Sequence, residues 1–174
     1  MLQTTLDLGA YEPDTPSRCD RDEESKGLVV GLAVKARDLP GRVATGAYIL
    51  HAGLEKWNGD EKRAEALQGM AAGAFPIVKT VPATTFLRLL AAAEMATGAA
   101  LLSPFVSNAV AGLALTGFSG GLIGMYWKTE ALHKPGSIWP TPAGIAISKD
   151  VWMLGIGAGL LVDSLTSRRK KDRT

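Results

Sequence analysis

The sequence is poor in cysteine, histidine and aromatic side chains, and each shortage excludes a class of chemistry. One cysteine, Cys19, excludes a disulfide scaffold, a Cys-x-x-Cys redox centre and a cysteine-based zinc site. Two histidines, His51 and His133, speak against haem, because His133 falls in a loop and bis-His ligation needs both at one depth. No metal site is expected, for want of ligands. The net charge of +2 leaves no electrostatic footprint for nucleic acid. There is no nucleotide-binding glycine motif and no Ser–His–Asp set that can be placed. Collagen-like, coiled-coil and wholly disordered classes are also excluded by composition.

What the chain has is segregation. Its 174 residues suit one domain, 47% are hydrophobic and 21% are charged. Mean hydropathy is slightly positive, which at this charge content requires apolar and charged residues to lie apart along the chain. Residues 1–26 are polar, of mixed charge and without periodicity, and read as a disordered cytoplasmic tail. They lack the basic start, apolar core and cleavage site of a secretory signal. Cys19 lies there and reads as an unpaired thiol, not a catalytic one. Residues 27–38 hold an eight-residue apolar run, Gly27–Val34, too short to span about 30 Å of hydrocarbon. Two readings stand for it: a juxtamembrane helix on the bilayer surface, or a short buried element.

Four long apolar stretches follow, at about 39–57, 81–105, 107–127 and 145–165. The third carries no charge and meets the length criterion for a span by itself. Backbone groups in lipid must be satisfied within their own segment, so these stretches read as helices and not strands. The expected fold is an all-α, four-helix transmembrane bundle over residues 39–165, followed by a basic cytoplasmic tail, 166–174. Six Lys/Arg precede the first span's core, five lie in the closing tail, and the connection LSPFVSN has none. Both termini are therefore expected in the cytoplasm, in a bacterial inner membrane, with the longer connections outside. Trp57, Tyr126, Trp127 and Trp139 fall near the outer ends, as an interfacial belt requires. In the first outer connection Leu67, Met70, Ala71, Ala74 and Phe75 share one helical face up to Pro76, which predicts a surface helix over the bundle mouth. The second outer connection, with three prolines in eight residues, is expected to be an ordered loop.

Small residues recur at four-residue spacing: Gly117, Gly120, Gly121 and Gly124 in the third stretch, Gly155 and Gly159 in the fourth. They are expected to let helices pack closely within the bundle, with an oligomer or cofactor surface as the alternative. Ionisable residues inside the spans are costly and turn inward towards partners. At about 1.5 Å per residue, His51 lies roughly 18 Å along the first span and Glu94 roughly 20 Å along the second, with Glu55 and Arg88 both nearer the outer face. These depths predict His51 beside Glu94 and Glu55 beside Arg88. Two readings remain: a salt-bridge network that fixes register, and a proton relay or polar pocket for a quinone head group, to which a titrating histidine is suited.

Arg42, Gly46, His51, Gly53 and Lys56 in RVATGAYILHAGLEKW, Glu94 and Gly98 in AAAEMATGAALL, and the closing GAGLLVDSL give the chain from about 42 to 163 a second kind of signal. In these segments it resembles the DoxX family of small four-helix membrane proteins, although the closing stretch is one residue short and lacks that family's Arg-Tyr. The resemblance implies an accessory or quinone-reactive subunit of a membrane oxidoreductase, with a membrane or membrane-associated protein partner. It also implies kinship with cysteine-pair redox proteins, against which the lone Cys19 speaks. A non-catalytic structural or assembly subunit is the alternative. A third reading, a small-solute or proton-coupled transporter, has no internal repeat or broken helix to support it.

Overall fold

A computed structural model describes residues 34–171 of the chain. The N-terminal tail with Cys19, and all of the juxtamembrane run except Val34, lie outside the described residues. The fold is all-helical. Helix α1 covers Leu39–Trp57, α2 Glu61–Ala74, α3 Ala83–Leu102, α4 Asn108–Lys128 and α5 Val151–Lys171. Three stretches are long and apolar enough to cross a membrane: Ala83–Leu102, Asn108–Lys128 and Ile145–Ser167. α1 is as long but carries Arg42, Glu55 and Lys56.

Local chemistry sets the boundaries. Pro40 stands in the first turn of α1, where its missing N–H costs nothing. The Asp60 side chain caps α2 by accepting from the Arg63 N–H at 2.9 Å. Ser107 caps α4 in the same way through the Val110 N–H. Pro76 opens a 3-10 turn, Pro76–Thr80, so α2 stops at Ala74, as its sequence pattern requires. The proline-rich connection is ordered without a long helix. It holds a 3-10 turn at Glu130–Leu132, a bridge between His133 and Pro140, and one helical turn at Ile145–Ser148 that breaks from α5.

The long helices pack in two antiparallel pairs, α1 with α3 and α4 with α5. The buried positions explain the first pair. On α1 the inward residues are Arg42, Gly46, Ile49, Gly53 and, half-buried, Lys56. On α3 they are Leu87, Ala91, Glu94, Gly98 and Leu101. Both run at alternating four- and three-residue steps, the spacing that keeps one seam facing its partner helix. Glycine lets the seam close: a Cβ on Gly98 would stand 2.7 Å from the Leu50 nitrogen and 2.8 Å from the Gly46 oxygen. In the second pair, Gly112 and Gly157 make the close approach, a Cβ on Gly112 falling 2.9 Å from the Gly157 oxygen.

The glycines singled out from spacing occupy other faces. Nothing lies within 4 Å of where a Cβ would be on Gly117, Gly120, Gly121, Gly155 or Gly159, and Gly124 meets only Phe75. The four-residue repeat of small residues is present on the outer faces as well as on the seams, so spacing alone does not separate the two.

One end of the bundle is locked by hydrogen bonds. Arg42, 1% exposed, donates from Nε to Leu101 O at 2.9 Å and from its two Nη atoms to the carbonyls of Ala100, Ser103 and Val106. Its sixth bond goes to Asn108 Oδ1 at 2.8 Å. The Asn108 amide nitrogen donates to Asp38 at 2.6 Å and to Asp163 at 3.3 Å. Asp163 also pairs with Lys35 at 2.8 Å and with Arg37. The carbonyls at the C-terminal end of α3, which a helix cannot satisfy internally, thus find their donor in a side chain of α1.

Candidate functional site

At the other end of the bundle the helices form a half-open cavity of about 260 Å³. Ile49 and Ala52 of α1, Leu90 of α3, Phe118 and Leu122 of α4, and Met153 of α5 form apolar walls. Leu67, Met70 and Ala71 of α2 close it from the side, so the helix expected over the bundle mouth does line this space. Gln68 holds α2 in place by donating to Val78 O at 2.9 Å and Val81 O at 2.7 Å.

Three ionisable side chains reach the cavity: Lys56, Glu94 and Asp150. Lys56 Nζ donates to Glu94 Oε2 at 2.9 Å, with side-chain exposures of 17% and 9%. The Lys56 ammonium has three N–H donors. One is engaged by Glu94 and one, at 3.5 Å, by Ala52 O, which leaves one for a molecule in the cavity. Among the described residues no hydrogen bond reaches the Asp150 carboxylate. Among the same residues no group of three or more His, Cys, Asp or Glu could hold a metal ion.

The ion pairs anticipated from depth are not the ones formed. Glu94 is buried on the α1–α3 seam, but its partner is Lys56 and not His51. His51 lies two residues from both Ile49 and Gly53, so at 100° per residue it points about 180° away from the seam. It is 74% exposed and sits 3.8 Å from Glu55 one turn on. Glu55 is exposed as well and reaches Arg63 at 4.0 Å, while Arg88 lies exposed on an outward face of α3. Residue counting gives depth along a helix, whereas partner choice is decided by azimuth. Lys56 stands one residue before the end of the first apolar stretch, where hydropathy does not say whether it faces in or out. It belongs to the last turn of α1 and follows Arg42, Gly46, Ile49 and Gly53 in the same register, which is the signal that places it inside. Asp150 has no sequence signal beyond bordering the charge-free core, Val151–Val162, of the fourth stretch.

Compared with known proteins, the chain matches no family model, no curated protein and no solved structure. Its functional reading therefore rests on the cavity.

A buried ion pair is costly to halve and cheap to replace whole. Lys56→Met, which strands the Glu94 carboxylate, is expected to destabilise the protein by on the order of 3 kcal/mol. The double variant Lys56→Met/Glu94→Leu is expected to recover most of that loss. Thermal unfolding of the detergent-solubilised protein, followed by circular dichroism, measures both. A double variant no more stable than the single one would show that the pair does more than neutralise charge.

Proposed function

We propose that the chain is a multi-pass protein of a bacterial inner membrane, of DoxX-like type, with both termini cytoplasmic. In this reading α1, α3, α4 and α5 cross the bilayer, and the protein serves as a quinone-reactive or accessory subunit of a membrane oxidoreductase. The observation that carries the proposal is the cavity itself, with apolar and aromatic walls and the Lys56–Glu94 pair and Asp150 at its polar side. Small-ligand sites have this character, mostly apolar with a few placed polar groups, and about 260 Å³ lies just below their range of about 300–1,000 Å³. The space suits one ring. Phe86 and Phe118 offer it faces, and the remaining Lys56 N–H offers a donor for a carbonyl oxygen. A bound quinone would supply a two-electron, two-proton acceptor, with electrons from a redox partner subunit. On this side of the reaction Glu94 and Asp150 are the groups able to hold and release the protons.

Titration of the purified protein with a tail-free benzoquinone tests this. The parent is expected to bind. Glu94→Gln and Lys56→Met are each expected to weaken binding by about tenfold or more, the equivalent of about 1.4 kcal/mol. His51→Ala, outside the cavity, is expected to bind like the parent. If the two cavity variants also bind like the parent, the pocket assignment is wrong.

The uncovered glycine faces favour a second reading, a structural or assembly subunit. Gly117, Gly120 and Gly121 on α4, and Gly155 and Gly159 on α5, meet nothing within 4 Å, and such faces admit a neighbouring helix closely. A partner recovered by co-purification, together with no quinone binding, would select this reading over the first.

A further inference from the structure

The cavity has a sideways neighbour. A second space of about 420 Å³ lies along the outer faces of α1 and α5, lined by Ala44, Thr45, Ala146, Trp152 and Ile156 among others. It shares Tyr48, Asp150 and Met153 with the cavity, so these three side chains form the partition between the two. α1 and α5 do not pack on one another along this stretch, since each has its principal contact elsewhere, with α3 and α4 respectively. They meet towards the locked end, where Gly41 faces Ile156 and where Lys35 and Arg37 reach Asp163. The result is a cleft shut at one end and separated at the other from the space beside the Lys56–Glu94 pair by Tyr48, Asp150 and Met153.

We propose that this cleft is a lateral portal that seats the long apolar chain of a neutral, ring-headed membrane lipid, with its head group in the cavity. The proposal rests on the quinone reading of the cavity and specifies the class of quinone: a tailed one that arrives from within the bilayer. Three features support it. The cavity has room for a ring but not for a chain, so any tail must leave it. The cleft that adjoins it is lined by Ala44, Ala146, Met153 and Ile156, with Trp152 exposed along it to pack on a chain and with Lys149 and Asp150 as its charged groups, of opposite sign. The charges lining the cavity choose the head group. Lys56 and Glu94 offset each other, and Asp150 adds a further carboxylate, so a fatty acid or phospholipid head would bring like charge into a low-dielectric space. A neutral ring that accepts one hydrogen bond meets no such penalty.

Blocking the cleft without touching the cavity is the test. Ala44→Trp and Ala146→Trp each place bulk in the cleft from exposed positions that do not line the cavity. In the full chain in detergent, a decyl-tailed benzoquinone and its tail-free head group are titrated side by side, with palmitate as competitor. Both variants are expected to weaken the tailed quinone by about tenfold and leave the tail-free one within about twofold. Palmitate is expected not to displace either. A second measurement does not depend on the variants. A tailed quinone carrying a diazirine in its chain is expected to label Trp152 and Ile156 of α5. If the parent binds neither quinone, the reading of the cavity fails and the portal falls with it. If the parent binds both and the variants alter neither, or weaken both alike, the cavity reading survives and the portal is wrong. Label spread over α3 and α4, or displacement by palmitate, likewise overturns it.

Discussion

Arg42→Met is expected to cost the protein on the order of 3–5 kcal/mol, the largest loss of any single substitution considered. The guanidinium satisfies four carbonyls, those of Ala100, Leu101, Ser103 and Val106, together with the Asn108 side chain. Methionine fills comparable space and donates nothing. Each carbonyl left without a partner in a site closed to water costs about 1–3 kcal/mol, reduced wherever the chain end relaxes to reach solvent. Arg42→Lys is expected to rescue little, because an ammonium has three donors and no planar fork with which to span five acceptors. The melting temperature of the detergent-solubilised protein reads both variants. A lysine variant as stable as the parent would mean that charge, and not the geometry of the fork, is what the site requires.

The second large effect belongs to Gly98. An added Cβ meets the Leu50 nitrogen at 2.7 Å and the Gly46 oxygen at 2.8 Å. Both are main-chain atoms of the facing helix, so the clash cannot be relieved by turning a side chain. Gly98→Ala is expected to destabilise by about 1–3 kcal/mol, and Gly98→Val by more, because the α1–α3 seam must open. Gly117→Ala and Gly121→Ala are the controls. Open space surrounds both positions, and alanine is the better helix former by about 1 kcal/mol, so these variants should melt at or slightly above the parent. If Gly98→Ala melted like Gly117→Ala, the close seam between α1 and α3 would not exist.

The first three long helices and α2 were legible in the sequence, because apolar length and proline punctuation report them directly; the fourth stretch, 145–165, was not, since the helix breaks after Ser148 and α5 runs on to Lys171 through the expected basic tail. The Glu94 position was legible too, as an ionisable group that must turn inward. Its partner was not. An apolar helix has little contrast between its inward and outward faces, so hydropathy reports how far along a residue lies and says little about which way it points. His51 and Glu94 are matched in depth and mismatched in direction. Lys56 could be placed only by its step from Gly53, a three-residue interval that also fits any surface lysine. The same ambiguity governs the glycines: Gly98 and Gly117 look alike in a string of small residues, and only the path of a neighbouring backbone tells them apart. The cleft beside Tyr48 has no counterpart in the sequence at all, since it exists where α1 and α5 fail to touch.

Asn108 carries no charge, yet it stands between a cation and two anions. Its carbonyl oxygen accepts from Arg42, and its nitrogen donates towards Asp38 and Asp163. The two halves of one small dipole are thus read by opposite signs, which fixes the amide's rotation without ambiguity. Aspartate could keep the first contact only by crowding three acidic groups together, and leucine could keep neither. The start of α4 is therefore tied to α1 and α5 by polarity alone, and only a side chain with a donor and an acceptor on the same carbon can serve both neighbours at once.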